Sequence, residues 1–122
     1  MPNMKPLDEK FPIELQLGIE AAPLVLVNLF TLDLADEENF LEEWKHDADF
    51  MKRQPGFIST QLHRAVGSNA TYLNYAVWES TEAFRAAFTH PDFRAAITRM
   101  PSSAVARPHL FQKIGVAGIC TA

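Results

Sequence analysis

Two asparagines and a tryptophan stand out because the runs that hold them are otherwise apolar. Asn74 and Trp78 lie in Thr71–Trp78 among Leu73, Tyr75, Ala76 and Val77, and Asn28 interrupts the Leu, Val and Phe residues of Leu24–Thr31. Alternate residues of a strand share a face, so Tyr72, Asn74, Ala76 and Trp78 point one way, with Asn74 and Trp78 ~13 Å apart. Small Ala76 between them leaves room for a flat guest. A buried amide left unpaired costs ~1–3 kcal/mol, so each Asn needs a protein partner or a ligand. Either Asn alone is equally well read as a core amide bonded to backbone at a bulge. Two of them on inner strands beside a Trp point instead to an enclosed apolar pocket whose amide N–H groups meet a guest.

The other residue types able to do chemistry read as structural. His63 sits beside Arg64 at a strand end, where it could act as a base but is more simply solvated. His46 lies between Lys45 and Asp47 on what reads as a charged helix face, and Glu42-Glu43 reads as a solvated one. His90 precedes Pro91 as a helix cap, and His109 follows Pro108 near a strand start. Arg94 and Arg99 could meet a phenolate, although exposed Arg is the commoner state. No GxGxxG, CxxC or His/carboxylate ligand pattern is present, so no cofactor and no metal are expected.

The elements that must position these residues follow from periodicity. Leu24 to Asp33 is a strand with two apolar faces, so both faces are expected to be covered. Asp36 reads as an N-cap, with Glu37 and Glu38 in the first turn where carboxylates favour the helix dipole. Phe40, Leu41, Trp44, Ala48 and Met51 form the apolar stripe of that helix, and Pro55-Gly56 stops it. Phe57 to Arg64 is a second strand, Gly67-Ser68-Asn69 a hairpin loop and Thr71 to Trp78 a third strand. Ser80 caps a helix through Phe88, and Pro91 opens another, capped by His90 or Thr89, that runs to about Arg99. Pro101 to Pro108 reads as loop and His109 to Val116 as a fourth strand.

The order βαββαβ predicts an α+β, ferredoxin-like fold with a four-stranded antiparallel sheet and both helices on one face. Strands one and three are apolar on the uncovered face too, which predicts a homodimer joined sheet to sheet. Residues 1–22 read as an N-terminal arm, 23–117 as the domain and 118–122 as a tail. Within the arm Phe11, Ile13, Leu15 and Leu17 alternate. They could add a strand to a neighbour's edge, even that of a partner subunit, or belong to a partly ordered leader.

Composition bounds the function classes. A chain of 122 residues, 48% hydrophobic and 21% charged, fits one globular domain, and nine Phe suffice to wall an aromatic cavity. Net charge −4 and the lack of any Lys/Arg run argue against nucleic acid as a partner. No run reaches the ~18–20 apolar residues of a membrane span. Asp8, Glu9, Glu14 and Glu20 break up any signal-peptide core, and the single Cys120 has no intrachain disulfide partner, so a cytoplasmic setting is expected.

From Pro23 to about Val116 the chain resembles the antibiotic biosynthesis monooxygenase family, most closely its cofactor-independent anthrone oxygenases of aromatic polyketide pathways. The resemblance is carried by Val27-Asn28-Leu29-Phe30-Thr31, Arg53-Gln54-Pro55-Gly56-Phe57 and Asn74-Tyr75-Ala76-Val77-Trp78-Glu79-Ser80, with Glu82-Ala83-Phe84-Arg85 and His90-Pro91 in support. It implies a dimeric α+β barrel. It further implies oxidation of an anthrone-like or hydroquinone-like polycyclic aromatic to a quinone with O₂, the substrate itself supplying the electrons as an enolate. Asn28, Asn74 and Trp78 would then be the catalytic set, and Phe30, Tyr72, Ala76, Phe84 and Phe88 would contact the substrate. Other members place a Tyr where Phe84 stands, which removes one hydroxyl from the site. The small heme-degrading branch of the superfamily is similar at Asn28, but its Trp and heme-ligating His would fall near Ala87 and Ile97. The competing reading is a non-catalytic dimeric domain that binds an aromatic metabolite, since fold analogy alone does not establish activity.

Overall fold

The computed structural model describes residues 3–122, so the first two residues of the arm lie outside it. Along the chain run β1 (Asn3–Met4), α1 (Ile13–Gln16), β2 (Leu24–Thr31), a 3₁₀ turn (Leu34–Asp36), α2 (Glu37–Met51), β3 (Phe57–Arg64), β4 (Thr71–Trp78), α3 (Thr81–Phe88), α4 (Pro91–Ile97) and β5 (Val105–Phe111). The sheet order is β1-β5-β2-β4-β3. The four strands from β2 onward pair antiparallel in the ferredoxin-like pattern, as expected, and β1 joins β5 in parallel as a fifth. The sheet is open, with β1 and β3 as its edges.

The caps act as their residue types suggest. Ser80 accepts a bond from the Ala83 N–H at 3.1 Å, and His90 accepts one from the Asp92 N–H at 3.0 Å with Pro91 directly behind it. Asp36 occupies the N-cap of α2 without capping it; its carboxylate accepts the Ser103 hydroxyl at 2.6 Å. Gly56 turns the chain into β3 with φ +88, and a Cβ there would sit 2.4 Å from the Cβ of Ala83. Only glycine suits both demands.

The last strand needs correction: it runs from Val105 to Phe111, where a loop to Pro108 and a strand from His109 to Val116 were expected. Proline is excluded from central ladders, but β1 pairs only with Val105 and Ala106, so Pro108 lies on the stretch of β5 with no strand on its outer side. The outward-facing positions of β5 show how the edge is managed. The carbonyls of Ala104 and Ala106 accept from Asn3 and Lys5, Pro108 has no N–H to offer, and the Leu110 N–H donates to Gln16 Oε1 at 2.7 Å. Beyond Phe111 the chain is exposed, and Val116 only bridges to Cys120.

The arm also departs from its alternating pattern. Residues Ile13–Gln16 form a helical turn that buries Ile13 (5% exposed) and Gln16, three apart, and leaves Leu15 (55%) in solvent. It packs against its own domain. The Ala21 N–H donates to Thr81 Oγ1 at 2.9 Å, the Thr81 N–H to the Ala21 carbonyl at 3.0 Å, and Arg85 to the Leu17 carbonyl at 2.5 Å.

Two apolar clusters fill the space between helices and sheet. One gathers Ile13, Leu24, Leu26, Ala76, Trp78, Phe84, Ala87 and Phe88; the other gathers Phe30, Phe40, Ala70, Tyr72, Met100 and Ala106. On β2 and β4 the residues between them are Asn28 and Asn74.

Candidate active site

Asn28 and Asn74 are direct cross-strand partners, and Pro108 faces Asn28 from the other side. Opposed side chains on one sheet face have Cβ atoms ~4.5–5.5 Å apart, so one guest atom can reach both amides. Above this row lies a pocket with a cavity volume of about 90 Å³. One water needs ~10–15 Å³ on the same measure, so the space takes more than a structural water.

The sheet supplies the floor and the helices the roof. Leu26, Asn28, Phe30, Asn74, Ala76 and Trp78 line it from β2 and β4; Trp44, Asp47, Ala48 and Met51 come from α2, and Phe84 and Phe88 from α3. Trp78 is 1% exposed and held edge-on by Phe57 (centroids 5.4 Å apart, 89°) and Phe84 (5.6 Å, 69°). Phe84 therefore serves as a brace for the indole as well as a wall.

The two amides have different partners. Thr60, on β3 opposite Ala76, donates its hydroxyl to Asn74 Oδ1 at 2.5 Å, which leaves the Asn74 NH₂ as the donor side of that amide. Asn28 Oδ1 is buried with no hydrogen-bond partner among the described residues. The bulge-satisfied amide weighed for Asn28 is thus not what the fold builds. An orphaned buried oxygen is expensive, so its retention points to a guest or a water.

Asp47 is the buried polar pocket residue that helical patterning alone did not single out. Its neighbours Lys45, His46 and Asp49 gave it the look of a charged face, yet it is 7% exposed and lines the pocket from α2. Positions 40, 44, 47 and 51 follow helical spacing on the inward face, which was the available signal. Burial pushes its carboxyl up to about 7; nearby Arg99 pulls the other way and Glu43 adds to the rise. Its Oδ1 also has no partner among the described residues. Glu43 is not free in solvent as expected but pairs with Arg99 at 3.3 Å.

Of the expected substrate contacts, Phe30, Ala76, Phe84 and Phe88 line the pocket and Tyr72 does not. Tyr72 packs 5.0 Å from Phe40 in the second cluster, and its hydroxyl donates to Glu37. Arg64 grips the same carboxylate through Nε at 2.8 Å and Nη2 at 2.9 Å. Arg64 and the Tyr72 hydroxyl together hold Glu37 down at about 2. His46, His63, His90 and His109 are all outside the lining, so Asp47 is its one ionisable side chain among the described residues. Among those residues no group of three or more His, Cys, Asp or Glu is placed to hold a metal, and no helix is long and apolar enough to cross a membrane.

The model of the family described as antibiotic biosynthesis monooxygenase matches residues 23–99. The chain belongs to that family. Deoxynogalonate monooxygenase of Streptomyces nogalater is 32% identical over 100 residues, which are 82% of this chain and 84% of that one. The crystal structure of SnoaB, a cofactor-independent oxygenase from Streptomyces nogalater, superposes with a TM-score of 0.72 at 30% identity, covering 80% of this chain and 99% of that one. A provisionally assigned monooxygenase from Shewanella loihica PV-4 gives 0.67 at 32% identity, over 81% of this chain and all of the other. The fold is that of the antibiotic biosynthesis monooxygenases, and the family match covers the pocket residues from Leu26 to Ile97.

Proposed function

We propose that this family member is a cofactor-independent monooxygenase that oxidises an anthrone-like polycyclic aromatic to a quinone with O₂. The observation that carries the reading is the pairing of Asn28 with Asn74 in an apolar cavity walled by Trp78. The naming of SnoaB as a cofactor-independent oxygenase and of a 32%-identical relative as deoxynogalonate monooxygenase supports it. A flat ring lying between floor and roof would meet the asparagine row. The amide N–H groups would donate to its keto oxygen as that becomes an enolate oxygen, and a preorganised donor of that kind contributes ~10²–10³ in rate. Trp78 and the Phe residues hold the ring and keep water out, which strengthens those hydrogen bonds. The enolate gives an electron to O₂, the radicals combine, and loss of water leaves the quinone. The working unit is a homodimer joined through the outer sheet face of Val27, Leu29, Leu73, Tyr75 and Val77.

Aerobic incubation with an anthrone, followed by the quinone chromophore and O₂ uptake, tests the reading. Turnover is expected in the wild type, with a loss of about 10²–10³-fold in Asn74→Ala. Tight binding of the anthrone without O₂ uptake would instead identify a non-catalytic binding domain.

A further inference from the structure

Resting on that reading, we propose that Asp47 is the catalytic base, taking the proton from the substrate's ring methylene across the pocket from the two amides. Three observations place it there. Asp47 lines the cavity from α2 while Asn28 and Asn74 line it from the sheet, so a flat guest between them meets the carboxyl on one side and the amides on the other. Its Oδ1 is buried and has no partner among the described residues, as is true of Asn28 Oδ1. Among the described residues no other ionisable side chain reaches the lining, so no other side chain competes for the proton.

The surroundings suit a group that must both take and return a proton. Burial raises Asp47 to about 7, so both protonation states are populated at neutral pH. The charges that face it are Glu43 from its own helix and Arg99 from the segment after α4, paired with each other at 3.3 Å. The lining residues of β2, β4, α3 and α4 carry no charge.

The steps balance as follows. Asp47 removes one methylene proton, and the C–H electron pair becomes the enolate held by the amides. The enolate passes one electron to O₂; the resulting carbon radical and superoxide combine to form the C–O bond. The peroxide takes back the proton from Asp47. The carboxylate then removes the second methylene proton while the O–O bond breaks, and the departing hydroxide leaves with that proton as water. One CH₂ and one O₂ become one C=O and one H₂O.

Enolisation can be measured apart from oxidation. Under argon in D₂O, the wild type should exchange the methylene protons of an anthrone for deuterium, and Asp47→Asn should slow that exchange at least about 10²-fold. The variant should bind the anthrone with near-unchanged affinity. Its thermal midpoint should be equal or higher, whereas a merely structural role would lower it. Its residual rate should rise with hydroxide without the inflection near pH 7 that the wild type shows. A second variant, Asp47→Ala, should be as slow, and added acetate should partly restore exchange in its enlarged cavity. Wild-type-like exchange and oxidation in Asp47→Asn would overturn the assignment of the base while leaving the oxygenase reading intact. A wild type that neither exchanges nor oxidises the anthrone would overturn both.

Discussion

Asn28 and Asp47 carry the two buried oxygens for which the fold provides no partner among the described residues, and both face the same cavity. Asn28 and Asn74 were legible because an amide in a Val, Leu and Phe strand contradicts its surroundings. Asp47 was not, because on a helix with Lys45, His46 and Asp49 the local charge density hid the inward spacing. Thr60, which orients Asn74, gave no signal, since a strand threonine is ordinary. The buried carboxyl makes stability depend on pH with a definite sign. Its folded-state value, about 7, lies above its ordinary 3.8, so between those limits the native state holds a proton the unfolded chain has lost. Stability therefore falls as pH rises from about 4 to 7, by an amount on the order of a few kcal/mol at ~1.4 kcal/mol per unit, and is flat above. Glu37 acts oppositely in a lower window: held at about 2, it adds stability above its ordinary 4.5 that is lost as pH falls towards 2. Urea midpoints across pH 4–8 should show the decline in the wild type and its disappearance in Asp47→Asn.

The strands and helices that build the site were legible wherever one face differed chemically from the other. The spans of β3 and β4 and the caps of α3 and α4 lie where the turn and cap residues indicate. The departures at β5 and in the arm share a cause: both lie along the side of β5 that β1 covers only at Val105–Ala106, where the backbone is satisfied by the arm that packs there. Sequence periodicity describes faces, not edges. The turn before β3 joins two elements more tightly than its composition suggests, because Gly56 touches Ala83 on α3 and its carbonyl accepts the Glu79 N–H at 2.7 Å. Gly56→Ala combines a left-handed backbone with a clash at 2.4 Å. It should lower stability by about 1–3 kcal/mol, read as a lower urea midpoint, and loosen Phe84, hence Trp78, in near-UV circular dichroism.

At the scale of the molecule, one sheet face is roofed by helices while the other keeps Tyr75 38% exposed beside half-buried Val27, Leu29, Leu73 and Val77. If that face joins two copies, Tyr75→Arg should convert the dimer to monomer in light scattering, since a charge buried in such an interface without a partner is strongly unfavourable. Beneath the roof, the asparagine row keeps the two apolar clusters from merging into one. Each half then has its own packing, with β2, β4 and α2 contributing to both. An aromatic guest lying across the row would touch Trp78 and Phe84 on one side and Phe30 and Met100 on the other. The substrate would then be the missing middle of the hydrophobic core, and the catalytic cycle would alternate between a protein with a divided interior and one with a continuous one.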